Sequence, residues 1–413
     1  MADSVTPFFF WLNFLGILSE LYRVDLPERL KELAGQDSTQ HLLILLYTAF
    51  PSVRILWFNH RDLTHPRAGG AERTCEELSK GFSRLGDHTT LVTGGYNEAT
   101  REELRDRATV ERYKGNIGVH LAVPHYLRQN YDVVVDDLAH AVPWFSETLG
   151  TIPGVAFFHH LHARTLRGQV PLPAEIALRF IEKNYSRIYR KWPFVTESNR
   201  AADDLVQLGI PLDRIQKINP GVDTQRFRPG NKTANPSIVL LGRLMDYKRP
   251  DHVVRAMAKV VKRFPDASMT VVGDGPRLDH TRTIVKNLGI EESVLFAGRV
   301  PDTGVANILA SSWVNVHAAT SEGWGFSIME ASASGVPTVA YNVPGVSEAV
   351  QAGKNGILVQ DGNIDALAEG LISIVDSPRD LCVTSRKYAE GFDWDITATK
   401  WRTFLKRVSE EHT

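Results

Sequence analysis

Two carboxylates and two cations stand out as residues able to do chemistry on a phosphorylated polyol. In residues 321–331 (SEGWGFSIMEA), Glu322 lies in a loop and Glu330 lies on the small-residue helix that follows. A carboxylate can accept from two hydroxyls at once, so each acid suits a polyol. Gly323 and Gly325 let the backbone approach a ligand closely, and N–H groups at the helix start can take phosphate oxygens or hydroxyls. A helix-capping acid and a surface acid would account for the pair without function. Yet Glu330 sits among Met329, Ala331 and Ala333, unusual company for a solvated side chain. In residues 237–250 (SIVLLGRLMDYKRP), a strand delivers Arg243 to its carboxyl end, and Lys248 follows at a helix start. Together they suit a diphosphate, the arginine as a planar fork and the lysine as a compact charge. They could also stabilise charge growing on a departing nucleotide diphosphate without a metal. Cations at a helix N-terminus oppose its dipole, which favours a ligand-binding role over a solvated helix start.

Two weaker signals lie earlier in the chain. Gly69 and Gly70 precede a helix whose exposed N–H groups would favour an anion, although a plain turn explains them equally well. Residues 157–162 (FFHHLH) hold three histidines in four positions, with no nearby acid or cysteine to complete a metal site. A single histidine reaching into a cleft to hydrogen-bond substrate is expected here, with a buried structural histidine as the alternative. Asp136 and Asp137, after a run of valines, read as loop or acceptor-side polarity.

These residues need elements that bring them together. From Val53 onward, short apolar β-branched runs alternate with longer helical patterns, which indicates βαβ units and buried parallel sheets. Strands are expected at 53–59, 89–93, 131–136, 155–158, 194–196 and 215–218, with helices at 71–85, 173–189 and 200–208. Residues 219–236 hold three prolines and two glycines without periodicity and read as a linker. The alternation then restarts at 237. The expected organisation is an extension at 1–52, a first Rossmann-like domain at 53–220 and a linker at 221–236. A second Rossmann-like domain follows at 237–395, then a terminal helix at 396–413 that returns to the first domain. Open parallel sheets bind ligands at the carboxyl ends of their strands, so two such domains would form a site in the cleft between them.

Composition sets outer limits. The 413 residues exceed one ordinary core, and 43% hydrophobic with 23% charged residues is the balance of a globular protein. With 47 basic and 48 acidic residues, net charge gives no reason to expect nucleic acid as a partner. Cys75 and Cys382 are far apart in sequence and suit a reducing compartment, so the expected location is cytoplasmic. Residues 8–18 (FFFWLNFLGIL) are too short to span a bilayer, which takes about 20 apolar residues. They have neither the basic start nor the cleavage site of a secretory signal. Two readings stay open: a helix packed on the main body, or an interfacial helix giving peripheral membrane contact.

Taken in order, these elements resemble the retaining glycosyltransferases of family GT4, which have the GT-B fold. The resemblance covers about residues 53–400. It rests on Glu322 and Glu330 as E-x7-E, on Gly242, Arg243 and Lys248 as G-R-x4-K, and on Gly69-Gly70-Ala71-Glu72. It is supported by residues 272–276 (VGDGP), 296–299 (FAGR), 220–223 (PGVD) and 335–338 (GVPT). The resemblance implies an α/β protein of two doubly wound domains facing a central cleft. It implies a nucleotide-diphosphate sugar as donor, an unidentified acceptor and no metal or other cofactor. In that reading Arg243 and Lys248 grip the donor diphosphate, Glu330 holds the ribose, and Val300 holds the base through its backbone. Glu322 reads the sugar hydroxyls with the backbone of Gly325, Phe326 and Ser327. His159 contacts the sugar near the reacting carbon, with His160 as a close rival. The family's attack and departure on one sugar face would leave the acceptor proton to the donor phosphate. Residues 1–52 fall outside the usual family body; an interfacial role for them would favour a lipid-linked acceptor. An epimerase, a non-catalytic nucleotide-sugar binder and a phosphorylase are the alternatives on the same scaffold.

Overall fold

A computed structural model describes residues 52–97, 99–162, 171–377 and 379–411. The segment 8–18 lies outside the described residues. The first half alternates as the sequence suggests: β1 (Arg54–Phe58), α1 (Gly70–Arg84), β2 (His88–Gly95), β3 (Glu102–Arg105), β4 (Ala108–Lys114), α2 (Gly115–Tyr126), β5 (Val133–Asp137), β6 (Gly154–Phe158), α3 (Leu172–Lys183), β7 (Phe194–Thr196), α4 (Asn199–Gln207) and β8 (Ile215–Lys217). The strand order is β3-β4-β2-β1-β5-β6-β7-β8, parallel throughout except for the antiparallel β3–β4 pair. The expected helix over 173–189 is two helices, because Asn184 ends α3 and a short turn of helix restarts at Tyr185.

The second half holds β9 (Ser237–Leu241), α5 (Pro250–Arg263), β10 (Ser268–Val272), α6 (Leu278–Leu288), β11 (Val294–Gly298), α7 (Asp302–Ser311), β12 (Val314–His317), α8 (Phe326–Ala333), β13 (Thr338–Tyr341), β14 (Gly356–Val359), α9 (Ile364–Asp376) and α10 (Arg379–Glu390). Its sheet runs β11-β10-β9-β12-β13-β14, all parallel. The order in which successive strands are added reverses between β1 and β5 in the first sheet, and between β9 and β12 in the second, while the strands stay parallel. Each reversal leaves a crevice at the carboxyl strand ends, where an open α/β sheet takes its ligand.

The final helix, α11 (Trp394–Glu410), belongs to the first sheet's core. Trp401 packs on Trp57 and Phe157, with ring centroids 5.5 and 4.9 Å apart. Arg402 donates to buried Asp87 at 2.7 Å, and Asp87 also accepts the Val53 N–H at 2.9 Å. The two interdomain segments touch where Val222 N–H donates to Phe392 O at 2.7 Å, and Thr224 bonds Asp393.

Candidate active site

The switch point of the second sheet assembles a polar cluster. After β9 the chain passes Gly242, turns through a short 3-10 helix at Asp246–Lys248 and enters α5. After β12 it passes His317 and reaches Glu322. Lys248 Nζ donates to Glu322 Oε1, and His317 Nε2 lies 2.9 Å from the same oxygen, off the line of a good hydrogen bond. Burial by itself would raise the Glu322 carboxyl, but Lys248 and His317 more than offset it and hold the pKa at about 2. His317 is lowered, mainly by burial, with Glu322 opposing. Arg243 is exposed beside this pair, and together with Gly242, Lys248, His317 and Ala319 it lines a cavity. The two loops are tied to each other, since Thr320 N–H donates to Tyr247 O at 2.8 Å.

Backbone geometry fixes these loops. Gly273 has φ +128°, and a Cβ there would fall 2.1 Å from Gly242 O, so the VGDGP turn can press against the Arg243 loop only with glycine. Gly345 has φ +79°, and a Cβ there would fall 1.9 Å from Glu322 O. The Glu322 N–H donates to Pro344 O at 3.1 Å, so this turn sets the acid's height over the cleft.

Glu330 is buried on α8 and faces the first domain. Arg73 of α1 donates to it at 2.7 Å and lies 3.8 Å from Asp302, which also receives Arg226 at 2.9 Å. Burial raises the Glu330 carboxyl, and Arg73 opposes that shift. At the start of α8, Gly325 adopts φ +88°, and the first-turn N–H groups of Phe326 and Ser327 have no partner among the described residues. The Phe326 ring comes 3.0 Å from where a Gly70 Cβ would stand, so Gly70 is needed for contact between the halves. Val300 is half-buried after β11, and its backbone N–H and C=O make no hydrogen bond among the described residues.

Three expectations change. His159 does not reach into the cleft. It is buried at 4% exposure, with Nε2 2.9 Å from Asp137 and Nδ1 3.0 Å from Glu197. Burial lowers its pKa, but these two carboxylates overcome burial and raise it to about 10, so the ring is an imidazolium clamped between acids. His160 is the exposed neighbour. Loss of solvation beside its neighbours, and the nearby His162 and His159, lower its pKa, with Glu322 opposing from across the cleft. Second, Asp136 and Asp137 are not loop polarity but the buried end of β5. Tyr189 and the Ser146 N–H hold Asp136, while Trp57, Asn59 and His159 converge on Asp137. Third, the Gly69 N–H is not open to an anion, because it donates to the Glu72 carboxylate at 2.7 Å.

Sequence reasoning also passed over Arg73, His317 and Glu348. Arg73 is one residue beyond the GGAE run, and His317 ends a strand just as Arg243 follows one, so both were findable by position. Glu348 accepts the Asn199 and Arg200 N–H groups at 2.6 and 3.1 Å, capping α4 from the opposite domain; only the folded chain shows that contact.

With this geometry in place, similarities to known proteins become specific. The chain matches the family Glycosyl transferases group 1 over residues 221–392 and Glycosyltransferase Family 4 over residues 68–226. It is 30% identical to a D-inositol 3-phosphate glycosyltransferase of Catenulispora acidiphila, over 67% of this chain and 71% of that protein. It is also 30% identical to a GDP-mannose-dependent alpha-(1-6)-phosphatidylinositol monomannoside mannosyltransferase of Mycolicibacterium smegmatis, over 48% of this chain and 56% of that protein. The alignments therefore span between about half and seven tenths of these relatives' length. In fold it is similar to the Anabaena protein HepE in complex with UDP and glucose, at TM-score 0.67 and 18% identity, covering 86% of this chain and 99% of that one. The chain belongs to the family 4 glycosyltransferases and has their GT-B fold.

Proposed function

We propose that this chain moves a sugar from a nucleotide-diphosphate sugar to an acceptor hydroxyl with retention of anomeric configuration. The observation that carries the reading is the Lys248–Glu322–His317 cluster beside exposed Arg243 at the second sheet's switch point. Glu322 neutralises Lys248. An incoming diphosphate competes for Lys248, and Arg243 supplies the second cation. Glu322 then turns its lone pairs to sugar hydroxyls, together with the first-turn N–H groups at Phe326 and Ser327. Glu330 takes the ribose hydroxyls once Arg73 yields, and the Val300 backbone meets the base. Gly242 leaves the approach to the diphosphate open, since a Cβ there would meet nothing within 4 Å.

In the reaction the bond from the anomeric carbon to the diphosphate oxygen breaks. The acceptor oxygen bonds that carbon from the same face, and its proton passes to the departing diphosphate oxygen. Lys248 and Arg243 stabilise the charge that grows on the diphosphate, an electrostatic term that strengthens in a water-poor cleft. His160 sits across from Glu322 and is the histidine we assign to the sugar. His159 acts through position, because its two acids fix the strand end that presents its neighbour. Relatives named for D-inositol 3-phosphate and for a phosphatidylinositol mannoside support a polyol acceptor, free or lipid-linked.

The test is turnover of UDP-glucose and GDP-mannose with D-inositol 3-phosphate or phosphatidylinositol, with product configuration read by NMR. The reading expects an α-linked product from an α-linked donor. An inverted product, or donor epimerised without any acceptor, contradicts it.

A further inference from the structure

Helix α3 carries its amphipathicity inside out. Its acids face inward: Glu175 and Glu182 are buried, and Glu182 accepts the His162 N–H at 2.7 Å. Its large apolar side chains face outward, with Leu172 66%, Ile176 59% and Phe180 69% exposed. At about 100° per residue these three form one stripe, and Arg179 and Lys183 fall on the same face. Beyond the helix, Arg187, Arg190 and Lys191 are exposed as well. Arg179 pairs with Glu175 at 2.8 Å, but no acid among the described residues pairs with Lys183, Arg187, Arg190 or Lys191. The adjacent Glu147 is spent on the N–H groups of residues 190, 191 and 192. Ile117 and Leu121 of α2, with Phe145 and Leu149, are further exposed apolar residues of the helical layer on this side of the first sheet.

We propose that this surface docks on an anionic lipid bilayer, with α3 lying in the headgroup plane. The stripe enters the acyl boundary, and the cations meet headgroup phosphates. Charge selects the occupant: apolar residues rimmed by unpaired cations, with the acids withdrawn, complement an anionic surface. The helix has 12 residues, about 18 Å of length against a hydrocarbon core of about 30 Å, so it lies on a membrane rather than crossing it. Glu182 anchors α3 to the loop that carries His160 and His162, so docking would hold the acceptor side of the cleft at the lipid surface. The purpose of docking rests on the transferase reading above; its geometry does not.

The experiment is sedimentation of the full-length chain with phosphatidylcholine vesicles, with and without phosphatidylglycerol. Wild type should bind the phosphatidylglycerol vesicles, less as salt rises. Ile176→Glu with Phe180→Glu should weaken binding at least about tenfold, while melting temperature and nucleoside-diphosphate affinity stay at wild-type values. Lys183→Glu with Lys191→Glu, which leaves the apolar face intact, should weaken binding and flatten its salt dependence. Phe8→Glu with Trp11→Glu should bind as wild type. The proposal is overturned if wild type ignores both vesicles, or if the α3 variants bind unchanged. Loss only in the Phe8/Trp11 variant would move the docking to the N-terminal segment. Self-association lost in the α3 variant, without vesicle binding, would make the occupant a second copy. A failed donor-binding assay in wild type would instead count against the transferase reading and leave this result standing.

Discussion

Lys248 and Glu322 neutralise each other, so each should be missed in a different assay. Removing Lys248 or Arg243 by alanine takes away charge stabilisation that the reaction needs most at its summit. Turnover should fall about 10²- to 10³-fold in steady-state kinetics, as when one preorganised donor is lost; a change within a few-fold would refute the assignment. Glu322→Ala should raise the Kd of the sugar nucleotide and leave that of the free nucleoside diphosphate, whereas Glu330→Ala should weaken both. Equal affinities of the two variants for the free diphosphate would remove that division. His159 offers a pH test with a definite sign. Its folded pKa, about 10, lies above the ordinary value near 6.5, so its contribution to stability is complete below about pH 6.5. That contribution is lost as pH climbs towards 10, and His159→Gln should flatten this part of the stability profile in urea titrations. In the sequence, residue type and position after a strand pointed to Arg243, Lys248 and Glu322, and small apolar neighbours pointed to Glu330. His159 was misread because the carboxylates that clamp it lie 22 and 38 positions away, at the end of β5 and just after β7.

Short turns decide whether these side chains converge. Gly345→Ala would force φ +79° on a residue with a Cβ and drive that Cβ into the Glu322 carbonyl. We expect a loss of turnover larger than the loss of stability, read by comparing kcat with the urea midpoint of the same preparation. An unchanged kcat would show that the turn does not set Glu322. Helix and strand alternation after Val53 was clear because buried parallel strands are continuous apolar runs. The β3–β4 ribbon was not, since Glu102–Arg105 and Ala108–Lys114 are rich in charged residues. Their arginines pair inward: Arg112 with Asp62 at 2.6 Å and Arg105 with Glu103 at 2.7 Å. Sequence periodicity cannot distinguish such a network from a solvated loop. The break at Asn184 was hidden for a related reason, because the apolar spacing continues across it.

At the scale of the molecule, the helix α11 returns from the second half to the first. α11 fills the first sheet's core with Trp401 and closes on Asp87 through Arg402. Trp401→Ala should cost about 3–5 kcal/mol, measured by chemical denaturation. Across the cleft, Arg73–Glu330, Phe326 on Gly70 and Glu348 on α4 join the halves, and only the first of these must open for the proposed ribose contact. The two-domain plan could be read from the linker and the restart of alternation. The cross-cleft contacts could not, because their partners are 148 to 257 positions apart in sequence. The most direct test of the whole account is calorimetric titration of UDP, GDP and ADP into wild type and into Arg243→Ala with Lys248→Ala. The account predicts that one nucleotide binds wild type, and that the double variant, still folded by circular dichroism, binds it at least about tenfold more weakly. Equal binding to both proteins, or no binding of any nucleotide to wild type, would contradict it.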